Sequence, residues 1–249
     1  MSHVAGRVTP DGVRQLLGEG FVPDFANRVE ECLGVDVVVI PLSNPGYSLR
    51  LGDYDVIVLR ATNQWFRSNF TLAHELGHIV LGTSPAPGEA AAQHAENRAN
   101  AFAAELLMPA EHMRALDWAV TPAVLAQRVW GLGVSTQALR TRLRYLRLNV
   151  PEQGAAALQL TTQKLITEHL SPAVASAQDV TERMALSARR RFPLRLLTDL
   201  RSAVDSGRAS QASLAWALGT PVEEEDASPD DQADSMGDEL CADLLDGLV

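Results

Sequence analysis

Residues 70–82, F-T-L-A-H-E-L-G-H-I-V-L-G, constrain the chain more than any other segment. They read as one apolar helix interrupted by three ionisable side chains. Phe70, Leu72, Leu76, Ile79, Val80 and Leu81 predict a largely buried surface. Two histidines and a glutamate are costly on such a helix unless they are paired or hold a metal. His74 and His78 are four residues apart, a net rotation of about 40°, so both imidazoles project from one face. From there they can reach a single zinc ion at about 2.0–2.1 Å. Glu75, turned by about 100° from His74, is placed for another task. It can take the proton of a zinc-activated water and deliver it to a leaving amine. H-E-x-x-H on a helix therefore predicts zinc-dependent peptide hydrolysis.

Catalytic zinc takes three protein ligands and leaves one position for water. The candidates for the third are Glu89, His94, Glu96, Glu105, Glu111 and His112. A long alanine-rich helix is expected over residues 89–108, stopped by Pro109. On it Glu96, Ala99, Asn100 and Ala103 share a stripe whose alanines allow close approach to the metal helix. Glu105 lies about 180° and His94 about 160° away from that stripe. Glu89 sits at the helix start, where a carboxylate is favoured by the dipole alone. The wheel favours Glu96, while Glu111 and His112, beyond the proline, stay open.

The rest of the chain supplies a small sheet and many helices. Residues 10–33 read as two short helices, and V-D-V-V-V-I-P-L (35–42) as a buried strand. Y-S-L-R-L and Y-D-V-I-V-L-R follow, joined through Gly52-Asp53, as a hairpin or adjacent strands, with the second strand offered as an edge for an extended substrate. Asn63-Gln64-Trp65 is expected in a polar connection. Thr121 and Ser135 are expected helix N-caps. The fold class is α+β: mostly helical, with a small β-sheet packed beside the H-E-x-x-H helix in a zincin-like core, plus a helical C-terminal domain. The expected divisions are a zincin-like metallopeptidase domain (1–118), a helix-turn-helix-like hairpin (119–150), a helical C-terminal domain (151–221) and an acidic, disordered tail (222–249).

The stretch R-S-N-F-T-L-A-H-E-L-G-H (67–78), followed by E-N-R-A-N-A-F-A-A-E-L-L-M-P (96–109), resembles the ImmA/IrrE family of metallopeptidases. The pattern covers residues 35–150. The resemblance implies a His-His-Glu zinc site, carried over to His74, His78 and Glu96, with Glu75 catalytic. It also implies an endopeptidase that cuts a helix-turn-helix transcriptional repressor and relieves repression of stress-response or mobile-element genes. Gly82-Thr83 departs from relatives that carry a further, non-ligand histidine after the metal helix. The alternative is a non-catalytic regulatory or toxin–antitoxin component that binds a repressor or DNA.

Charge and cysteine usage decide among partners. The net charge of −10 resides in the tail, where residues 222–249 hold 11 Asp and Glu and no Lys or Arg. That leaves 20 acidic against 21 basic residues, a body with little attraction for phosphate. Contact of DNA with Arg140, Arg142, Arg144 and Arg147 on the second helix of 124–146 is thus open but not favoured. Arg189, Arg190, Arg191 and Arg195 form a second basic cluster, read as a solvated helix surface. Only Cys32 and Cys241 occur, and no signal peptide or membrane span is evident, so a cytoplasmic protein with no membrane partner is expected.

Overall fold

A hairpin and one parallel strand form the sheet that backs the metal helix. In the computed structural model, which describes residues 9–83 and 89–220, the strands are β1 (Asp36–Ile40), β2 (Gly46–Leu51) and β3 (Tyr54–Arg60). Their order is β1-β3-β2. β3 pairs in parallel with β1, Val38 opposite Val58, and antiparallel to β2, Leu51 opposite Tyr54. Gly52 turns the hairpin at φ +60°, a left-handed conformation that suits glycine. The expectation that Y-D-V-I-V-L-R offers a free edge is therefore corrected: β3 is central, and β1 and β2 are the edges. The unbroken Val56-Ile57-Val58-Leu59 run, buried throughout, is what a strand covered on both faces requires.

Two helices precede the sheet, α1 (Pro10–Leu17) and α2 (Phe25–Leu33). Thr9 caps α1 through its hydroxyl, which accepts from Gly12 N at 3.2 Å. Phe25, Val29 and Leu33 bury one face of α2, which ends at left-handed Gly34. The metal helix α3 spans Trp65–Leu81 and stops at left-handed Gly82. It begins five residues before the expected start. Trp65, expected in a polar connection, is buried at the first turn, edge-on to Trp130 with ring centroids 5.3 Å apart.

The second long helix, α4 (Glu89–Leu107), packs along α3, and α5 (Ala110–Ala115) follows Pro109. Gly77 makes the close approach possible: a Cβ there would lie 3.1 Å from Phe102 Cδ1 and 3.3 Å from Ala99 Cα. Helices α6 (Pro122–Leu132), α7 (Thr136–Tyr145), α8 (Glu152–Ala157), α9 (Thr162–His169) and α10 (Ala177–Ala188) complete the first compact unit, Met1–Arg189. One hydrophobic core runs through it from Val13 to Ala175. α10 returns to α3, where Ser187 O accepts from Thr62 N at 3.2 Å and Arg183 lies 3.7 Å from the Trp130 ring centre.

The second unit, Arg190–Val249, contains α11 (Leu194–Asp205) and α12 (Gln211–Leu218) among the described residues. Trp216 packs on Phe192 at 5.6 Å and under Arg190, which also donates to Trp216 O at 2.9 Å. The acidic tail, 222–249, lies outside the described residues. The architecture is α+β, helical with one small mixed sheet, as the residue patterns predict. No described helix is long and apolar enough to cross a membrane.

Candidate metal centre

Helical periodicity brings the site together. His74 and His78 lie on successive turns of α3, and Glu96 faces them from α4. Their coordinating atoms all fall within 4.8 Å of one another. His74 Nε2 is 3.1 Å from His78 Nε2. The two carboxylate oxygens of Glu96 divide between them, Oε2 at 3.2 Å from His74 Nε2 and Oε1 at 3.2 Å from His78 Nε2. The imidazoles are sunk, 15% and 13% exposed, whereas Glu96 is 51% exposed, so the cluster opens to solvent on the α4 side. Glu75, buried in the first turn of the motif, follows His74 in the chain.

The outer ring nitrogens fix the chemistry of the inner ones. His74 Nδ1 lies 3.1 Å from Asn100 Oδ1, an atom that only accepts. His78 Nδ1 lies 3.2 Å from Thr83 O and 2.9 Å from Thr83 Oγ1. Each Nδ1 thus carries its proton toward an oxygen, and each Nε2 presents a lone pair to the cluster. Two lone pairs and a carboxylate then converge at 3.1–3.2 Å, which is repulsive unless a cation sits among them. A tetrahedral zinc ion with bonds of about 2.0–2.1 Å needs ligand–ligand spacings of about 3.3 Å. The donor set fits that ion in type and in spacing.

The other candidate ligands go elsewhere. Among the described residues His94, Glu111 and His112 are exposed and stand outside the cluster, and the Glu89 side chain lies outside the described residues. Glu105 turns toward α7, where it pairs with Arg142 and accepts from Ala110 N at 2.8 Å.

Residues 30–144 match the model of the IrrE N-terminal-like domain, the Peptidase_M78 family. This segment belongs to that family. No curated protein and no solved structure matches the chain. The IrrE N-terminal-like domain spans the sheet, α3, α4 and the α6–α7 hairpin, so all three clustered residues and their Nδ1 partners lie within it. It is a metallopeptidase domain. Sequence reasoning placed Asn100 on the correct stripe of α4 without giving it a task. Its position one turn beyond Glu96 was the signal that it would meet the same imidazole pair. Thr83, as the first residue past the Gly82 cap, had no such signal, because its two contacts with His78 depend on how the helix ends.

Proposed function

We propose that this chain is a zinc-dependent endopeptidase that cuts a helix-turn-helix transcriptional repressor, relieving repression of stress-response or mobile-element genes in the cytoplasm. The convergence of His74, His78 and Glu96, each imidazole held by an oxygen behind it, carries this reading. Two imidazoles and one carboxylate leave an open position of the kind catalytic zinc sites keep. Bound there, zinc supplies the Lewis acidity that activates water and polarises the scissile carbonyl. Glu75 takes the proton from the attacking water and passes it to the departing amide nitrogen. Its burial beside His74 keeps that carboxylate from bulk solvent until a substrate arrives. Asn100 and Thr83 hold the imidazole rings in the ligating tautomer.

The repressor as substrate follows from the resemblance of residues 67–78 and 96–109 to the ImmA/IrrE family. The test is direct. Purified protein is expected to hold one zinc per chain and to cut the repressor encoded beside it at one site. Glu75→Gln is expected to keep the zinc and to cut at least 100-fold more slowly, the scale of a lost general base. Cutting at the wild-type rate by that variant would rule the mechanism out.

A further inference from the structure

The two helices that carry the clustered ligands also wall a second feature. A groove of about 650 Å³ lies between the start of α3, the C-terminal half of α4, the start of α7 and the chain flanking the hairpin. It shares one wall residue with the candidate metal centre: Asn100 lines the groove while its side chain touches His74. Thr71, three residues before His74 on α3, also faces it. Phe66, Phe70, Met108, Ala101, Ala104 and Ala138 make its lining largely apolar. The volume is that of a ligand pocket, about 300–1,000 Å³, and more than one side chain needs.

The rim is charged in one sense. Arg60, Arg67 and Arg142 line the groove against a single carboxylate, Glu105. Arg142 spends its charge on Glu105 and donates to Met108 O at 2.9 Å. Arg60 donates to Ser43 O at 3.2 Å, and neither it nor Arg67 forms an ion pair among the described residues. Arg67 is exposed. An apolar trough with two uncompensated guanidinium groups complements a segment that is apolar and negatively charged.

We propose that this groove is the recognition subsite of the peptidase. It takes a polypeptide segment carrying two or more bulky apolar side chains beside an acidic residue, and delivers the adjoining peptide bond to the His74–His78–Glu96 cluster. The inference rests on the peptidase reading above. It adds Phe66, Phe70 and Ala104 as determinants of apolar preference and Arg67 as the determinant of acidic preference.

The probe is a mixture of synthetic peptides of randomised sequence, captured on immobilised full-length Glu75→Gln protein and read by mass spectrometry. Captured peptides are expected to be enriched about ten-fold or more in clustered bulky apolar residues next to Asp or Glu. Ala104→Trp, which fills the groove, is expected to abolish the enrichment while zinc content and circular dichroism stay unchanged. Arg67→Glu, on the exposed rim, is expected to remove only the acidic preference. No enrichment, or enrichment that both variants leave intact, overturns the proposal. So does a groove variant whose sole effect is to split a dimer, since the groove would then belong to a second copy of the chain. Digestion of the same mixture by protein with Glu75 intact separates the two readings. Capture without cutting removes the peptidase and leaves the recognition groove; cutting with unaltered preference in both variants removes the groove and leaves the peptidase.

Discussion

Asn100 shows how one uncharged side chain can orient a candidate metal ligand from outside the cluster. Its Oδ1, 3.1 Å from His74 Nδ1, selects the tautomer whose Nε2 can bind. Loss of such an outer partner typically costs 10–100-fold in metal affinity. We expect Asn100→Ala to weaken zinc binding by about that factor, measured by competition with a chromogenic chelator. Asn100→Asp, which keeps an accepting oxygen, is expected to restore most of the affinity. Equal affinity in all three proteins would show that His74 is oriented by its packing alone. The His74–His78–Glu96 cluster was legible from residue spacing, since His74 and His78 share a helix face and Glu96 heads the Ala99–Ala103 stripe. Arg142 was not. Its place among the arginines of the second hairpin helix leaves nucleic-acid contact open, yet its side chain is 5% exposed and committed to Glu105 and to Met108 O. Removing one partner of a buried pair costs about 3–5 kcal/mol, and less here because Glu105 is 32% exposed. Arg142→Leu is accordingly expected to destabilise the fold by about 2–3 kcal/mol in urea unfolding. A DNA-contacting arginine would leave stability unchanged.

At the scale of elements, the site depends on how closely α3 and α4 approach. Gly77 sits inside the H-E-x-x-H motif, and the atoms a Cβ would meet there are Phe102 Cβ at 3.2 Å and Ala99 Cα at 3.3 Å. Both are fixed to the α4 backbone, so relief requires the helices to move apart. Overpacking of this kind costs about 1–3 kcal/mol. We expect Gly77→Ala to lower stability by that amount and also to weaken zinc binding, because Glu96 rides on the displaced helix. Destabilisation with unaltered zinc affinity would mean that α4 adjusts without carrying Glu96 away. Helix positions and the hairpin were readable because they depend on local periodicity and on Gly52 at the turn. Two features escaped for a common physical reason. The start of α3 at Trp65 is set by Trp130 and by Arg183, whose guanidinium lies 4.8 Å from the Trp65 ring centre, and both partners are distant in the chain. The central place of β3 depends on strand order, which no local pattern encodes, although the Val56–Leu59 run carried a hint of it. Gly133, the left-handed cap of α6, has a tertiary reason as well. At φ +65° a Cβ would fall 2.2 Å from Val22 Cγ1, so the turn between α6 and α7 packs closely on the chain between α1 and α2.

For the whole molecule, the distribution of the candidate metal-site residues between the two compact units makes a thermodynamic prediction. His74, His78, Glu96, Asn100 and Thr83 all belong to Met1–Arg189, which also contains the continuous hydrophobic core. Arg190–Val249 buries only Pro193 and Ala217 among its described residues, so its helices have little apolar surface with which to unfold cooperatively. An ion that binds the native state and not the unfolded chain stabilises by mass action, about 2.7 kcal/mol when its free concentration is 100 times its dissociation constant. For a unit of this size each kcal/mol shifts the midpoint by about 2–4 °C, so chelation is expected to lower the main calorimetric transition by about 5–10 °C. The weaker helical transition of the second unit, followed by circular dichroism, is expected to stay where it was. Asn100→Ala should shrink the chelator-dependent shift in proportion to its loss of affinity, because the same bond energy enters both measurements. A chelator shift that appeared equally in both transitions would place a ligand outside the first unit. One that failed to appear at all, in protein first saturated with zinc, would mean that the paired imidazoles and Glu96 hold no ion, and the hydrolytic reading would fall with it.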